Sequence, residues 1–324
     1  MRGLLTFVLI AALAWGGYWF VGARGLEQAA NKWFDAAPAQ GLVAERESLV
    51  VRGFPSRFDL TVTGLRLEDR ARGLGWQAPF VQVFSLSYKP WHLIVALPPE
   101  QTFTLPGQTV TLTSESLKGS LILTPNADLG LDRIAITTDS PAASSTLGWA
   151  HAARSARLAT RVVQDRPDTH DIALEILGLA PDPALMADLP GLPAVIDTLS
   201  VQVQASFSAP LDRHAAETRP RLTGLIVDES RVTWGSLGLF AKGEIAADAQ
   251  GRAEGRIMLR LENWRTAFEA ARTLGLLTPE VAPTIEQALT LLAGSSDVLD
   301  LPLSFQSGRM SLGPIPLGPA PMLN

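Results

Sequence analysis

The sequence predicts a mainly β protein of the α+β kind. An N-terminal transmembrane helix is followed by antiparallel meander sheets that form a curved sheet or sandwich, and a C-terminal helical hairpin packs on them. Three observations predict this: an uncharged opening run, two-residue alternation through most of the chain, and helical periodicity that returns only near the end.

The opening run is Gly3 to Ala23, 21 residues without a charge, flanked by Arg2 and Arg24. At 1.5 Å per residue such a helix covers about 30 Å, the thickness of a bilayer's hydrocarbon layer. Its aliphatic and Phe side chains each favour insertion by about 0.3 to 0.6 kcal/mol. Trp15, Tyr18 and Trp19 fall toward the second interface. A cleaved signal peptide is the competing reading, since Val21-Gly22-Ala23 suits a peptidase. The run exceeds the usual h-region, and Tyr18-Trp19-Phe20 crowds the approach, which favours a retained anchor. Basic residues flank the run on both sides, so charge leaves its orientation open.

The expected organisation is an anchor over 1–23, a juxtamembrane helix or linker over 24–38 ended by Pro38, and a β-rich domain over 39–324. Loop-like composition at 140–155 divides that domain into possible lobes 39–140 and 150–324. In the first strand Phe58, Leu60 and Val62 share a face, and apolar residues move to Leu65 and Leu67 after Gly64. A one-residue slip flips faces, so a β-bulge is expected at Gly64. Phe54-Pro55 predicts a turn before the strand, and Arg57 and Asp59 share its outward face.

The alternation recurs at Phe84, Leu86 and Tyr88, at Leu117 to Leu123, and at Leu199 to Phe207. It returns in hairpins around the turns at 248–251 and 306–309. Asp182-Pro183 predicts a short helix through Leu189. Asn263 is expected to cap a helix with Trp264, Phe268 and Ala271 on one side and Gly275 at its end. Thr278-Pro279-Glu280 should start another, with a stripe of Val281, Ile285, Ala288, Leu289 and Leu292 before Gly294.

Composition and motifs exclude more than they assign. A net charge of −5 without a Lys/Arg cluster argues against nucleic acid. The absence of cysteine removes disulfides, thiolate metal sites and cysteine nucleophiles. His92, His151, His170 and His214 have no metal-ligand spacing. His170, near Asp165, Asp168 and Asp171, is the one acid–imidazole neighbourhood, and Pro167 makes "QDRPDTHD" read as a solvated turn. Glu45 and Glu47 read as exposed strand charges. No nucleophile elbow, phosphate loop or dinucleotide fingerprint is present. The expectation is therefore a protein without catalytic, cofactor-binding or metal residues.

Five stretches carry a resemblance: "GFPSRFDL" (53–60), "WQAP" (76–79), "SYKPW" (87–91), "ALPPEQTFTLP" (96–106) and "LGPIPLGPAP" (312–321). Together they resemble an uncharacterised alphaproteobacterial family, domain of unknown function 2125. The motif residues are Gly53, Phe54, Pro55, Arg57, Phe58, Asp59, Trp76, Pro79, Tyr88, Pro90, Gly313, Pro314, Pro316, Gly318 and Pro319. The resemblance implies a single-pass inner-membrane protein with its bulk in the periplasm, and no established activity. The pattern is also distantly similar, in architecture, to AsmA-type envelope proteins. The function so expected is envelope maintenance by binding a lipid or other hydrophobic ligand. Alternatives are an assembly scaffold for envelope proteins and, third, a hydrolase centred on His170.

Overall fold

The structure, a computed structural model, describes residues 1–189, 191–277, 279–280 and 282–323. The chain divides into two compact units, Met1–Pro125 with Ala135–Trp149, and Asn126–Ile134 with Ala150–Asn324.

The first unit opens with helix α1, Arg2–Ala36. Its N-terminal part exposes Leu4, Phe7, Leu9, Ile10 and Leu13, while Trp19, Ala23 and Phe34 are buried. Pro38 tightens the end into a 3₁₀ turn, Ala37–Gln40, and Gly41 closes it at φ 77°. Strands follow at Leu42–Glu45 (β1), Ser48–Arg52 (β2), Arg57–Asp69 (β3) and Leu74–Leu86 (β4). Lys89–Leu97 (β5), Glu100–Leu105 (β6), Gln108–Thr113 (β7) and Ser116–Leu123 (β8) come next. The residues of Leu131–Asp139 (β9) are shared between the units, and Ala142–Ser145 (β10) completes the first.

All of these pairings are antiparallel. β3 carries β1 and β2 end to end on one edge and β4 on the other. The far edge of β4 then divides, pairing β5 near Ser85 and β6 near Trp76. β5 continues to β8, and β6 to β7 and β10. Tyr88, expected in a strand, lies in the turn between β4 and β5.

No β-bulge exists at Gly64. The β3–β4 register runs unshifted from Arg57↔Leu86 to Asp69↔Leu74. Glu45↔Arg66 and Ser48↔Thr63 likewise lie three residues apart on both strands. The apolar face still switches, with Val62 and Leu65 both buried beside Phe34. All three strands switch together at the level of Glu47, Gly64 and Pro79, so none needs an extra residue. Gly64 takes φ 58°, and a Cβ there would lie 2.4 Å from the Glu47 side chain. Pro79 offers no N–H at the same level.

The second unit is a meander. Ala150–Ala152 (β11) precedes Ser155–Val163 (β12), Arg166–Leu179 (β13), Ile196–Phe207 (β14) and Leu222–Trp234 (β15). Leu237–Ala247 (β16), Ala253–Glu262 (β17), Val298–Gln306 (β18), Arg309–Leu312 (β19) and Ile315–Pro319 (β20) follow. From β12 to β20 each strand pairs antiparallel with the next in sequence.

Among the described residues four helices interrupt the meander: Pro183–Ala187 (α2), Ala215–Thr218 (α3), Trp264–Thr273 (α4) and Ala282–Ala293 (α5). α2 stops two residues short of the expected Leu189. Its Asp182 cap accepts the Ala184 N–H at 2.8 Å. Asn263 does not cap α4 with its side chain. It takes a left-handed φ of 55°, and its Nδ2 donates to the Ser236 carbonyl. Thr278 and Val281 lie outside the described residues. Trp264, Phe268, Ala282 and Leu289 pack with Leu299 and Leu301, so α4 and α5 sit on the sheet as expected. Leu292, expected in the stripe, is half exposed.

Candidate functional site

The turn before β3 is built to hold α1. Gly53, at φ 103°, brings the Arg57 N–H onto its own carbonyl at 2.9 Å. Phe54-Pro55 is a cis peptide. Ring donors of α1 meet carbonyls at this end of the sheet: Trp15 Nε1 donates to Pro55 O at 2.9 Å and Trp19 Nε1 to Arg57 O at 2.6 Å. Tyr18 donates its hydroxyl to Ser87 O at 2.6 Å, in the next turn. Phe58 stacks on Trp19 at 6.1 Å, and Phe54 meets Trp19 edge-on at 5.4 Å. Gly22 permits the approach, because a Cβ there would lie 2.7 Å from the Phe58 ring. Farther along, Arg46 covers the Phe34 ring at 4.3 Å and donates to Asn31 at 2.6 Å.

The remaining motif residues keep structural stations. Arg57 pairs Asp59 at 2.9 Å, as their shared face predicts, and lies over Phe84. Trp76 stacks on Phe103 and donates to Gln101 at 3.1 Å. Pro90 follows Tyr88 into β5. Gly313-Pro314 turns β19 into β20, where Pro316, Gly318 and Pro319 lie along the terminal strand.

In the second unit one face of β12–β15 is aliphatic. Register aligns Leu158, Leu174 and Val201 in one row, and Ile172, Val203 and Val227 in another. A third row holds Ile176, Leu199 and Val232. The opposite face is polar. There Asp171 receives Arg161 at 3.1 Å and the Gln204 amide at 2.9 Å, and these hold its carboxyl below the ordinary range, Gln204 foremost. Among the described residues of this unit, the clusters of buried apolar side chains lie on β16–β20. α4 and α5 cover one end, and Ala320 with Leu323 covers the other around Ile245, Ala253 and Phe305. The rows on β12–β14 belong to neither cluster, and their aliphatic side chains are only half-buried.

His170 ends the aliphatic face. It is not in a solvated turn: β13 begins at Arg166, so Pro167 lies within the strand and His170 projects inward opposite Ala205. It is 1% exposed, and neither ring nitrogen has a hydrogen-bond partner. Its ring meets Phe207 edge-on at 6.3 Å. Burial lowers its pKa, against the raising influence of Asp132, Asp168 and Asp171. Buried in this way, neither nitrogen lies within hydrogen-bond reach of a proton to abstract in this structure. The missed signal was parity: counting back by twos from Ile176 passes Leu174 and Ile172 and reaches His170.

The other histidines are engaged locally. His92 meets Ser120 at 3.1 Å, His151 accepts the Asp182 N–H at 3.0 Å, and His214 accepts from Arg213 at 3.1 Å. Among the described residues no group of three or more His, Cys, Asp or Glu is placed to hold a metal ion. Glu45 faces Arg66 at 3.5 Å, and Glu47 lies over Gly64 rather than beside a second carboxylate.

A family model described as an uncharacterized protein conserved in bacteria (DUF2125) matches residues 19–321. The chain belongs to that family. No curated protein matches it.

Proposed function

We propose that this DUF2125 protein is a membrane-tethered, non-enzymatic component of the bacterial cell envelope. Its body lies in the periplasm and shelters a lipid or another hydrophobic ligand on the aliphatic face of β12–β15. The observation that carries the reading is the contrast along one sheet face. It is covered at β16–β20 by two helices and the C-terminal segment, and it is left half-buried where the aliphatic rows cross β12–β14. Each row runs about 10 Å across three strands. An acyl chain drawn from a bilayer exposes methylenes at about 0.8 kcal/mol each, so a sixteen-carbon chain needs about 12 kcal/mol of shelter.

The scaffold reading has less support. Edge-strand recruitment needs a free ladder, and terminal strand β20 carries Pro316 and Pro319, which cannot donate to one. The hydrolase reading has less still, since His170 is buried without a hydrogen-bond partner.

Native mass spectrometry of the full chain, extracted in mild detergent, tests the proposal. Lipid adducts are expected on the wild type and are expected to fall at least tenfold in Leu174→Asp and Val201→Asp. A bare mass under gentle conditions, or equal adducts on all three proteins, would count against the lipid face.

A further inference from the structure

The junction of α1 with the first turn of the sheet bears on where the body meets the bilayer. If the apolar run crosses, about 20 residues must lie in hydrocarbon, and counting from Gly3 reaches about Gly22. The sheet grips α1 well inside that run, at Trp15, Tyr18 and Trp19. Trp15 lies about 12 Å along the axis from Ala23, at 1.5 Å per residue. The interfacial layer is about 7 Å deep, so the turns touching Trp15 and Tyr18 cannot stay in bulk water.

Those turns are made for a layer poor in water. The carbonyls of Pro55, Arg57 and Ser87 accept from the three rings of α1, and the Ser56 carbonyl accepts the Ser87 N–H at 2.9 Å. Five carbonyls of the turns, those of Gly53, Pro55, Ser56, Arg57 and Ser87, thus have internal donors, which lowers their cost of leaving water. Two aromatic side chains are exposed at the tips, Phe54 at 57% and Tyr88 at 53%, with Ser56 and Arg57 exposed beside Phe54. Lys89 is exposed next to Tyr88, placed to reach headgroup phosphate.

We propose that the turns at 53–56 and 87–89 form a membrane-embedded foot. Phe54 and Tyr88 enter the boundary between headgroups and acyl chains, so the first unit stands on the bilayer instead of hanging from a flexible tether. This rests on α1 spanning the membrane, and the test separates the two.

The chain contains no cysteine, so single cysteines can carry an environment-sensitive nitrobenzoxadiazole label at chosen positions of the full chain. Four variants are made: Leu9→Cys, Phe54→Cys, Tyr88→Cys and Leu74→Cys. Leu74 is exposed about 40 Å along the β3–β4 ladder from the foot. Each is reconstituted in phosphatidylethanolamine–phosphatidylglycerol vesicles containing doxyl-labelled lipid. Deep quenching at residue 9, shallow quenching at 54 and 88, and none at 74 support the foot. If 54 and 88 behave like 74 while 9 is quenched, the foot is overturned and the anchor stands. If 9 is not quenched, both fall. Should the variants at 54 and 88 not fold, Lys89→Cys reads the same depth with little disturbance.

Discussion

Phe58 links the aromatic motif before β3 to the apolar helix. It is 7% exposed, fills the space over Gly22, and stacks on Trp19. Phe58→Ala therefore leaves a cavity at the junction and is expected to cost about 3 kcal/mol, read by denaturant unfolding in detergent. His170 carries a different signature. The folded state holds its imidazole neutral, whereas the unfolded chain protonates near its ordinary value of about 6.5. Its folded pKa is lowered, so the stability it contributes is present above that pH and lost as pH falls below it. Wild type should lose more stability between pH 7.5 and 5 than His170→Gln does. Parallel pH profiles would show that His170 does not titrate in this way.

At the scale of elements, much of the fold was legible. Period-two alternation located the strands around Phe58, Leu121 and Val201 because each has one buried and one wetter face. Trp264 and Phe268 announced α4 by helical spacing. What escaped was set across strands rather than along them. The face switch at Gly64 reads as a bulge in one strand, yet Glu47 and Pro79 switch with it and the register never slips. Pro167 suggested a turn, but it sits at the start of a long strand whose inward positions end at His170. Asn263 suggested a side-chain cap, and the backbone adopted a left-handed conformation instead. The helical hairpin gives a sharp contrast for measurement. Phe268 is 6% exposed in the cluster under α4, whereas Leu292 is 50% exposed on α5. Phe268→Ala should cost about 3 to 5 kcal/mol and Leu292→Ala no more than about 0.5 kcal/mol in equilibrium unfolding.

For the whole molecule the decisive structural feature is that α1 is built into the first unit. Its outer half packs Phe34 against Val62 and Leu65, and its apolar half gives three ring donors to the turns of the sheet. Removal of 1–23 would uncover Phe58, strip Phe54 of its Trp19 and Phe20 ring contacts, and leave the carbonyls of Pro55, Arg57 and Ser87 without those donors. Neither relation was visible along the sequence, where Trp15, Tyr18 and Trp19 read as interface anchors and "GFPSRF" as a turn and a strand. The intact mass of the protein purified from membranes tests this most directly. Retention of the apolar segment predicts the full 34.7 kDa chain; a mature protein beginning at Arg24 would contradict it.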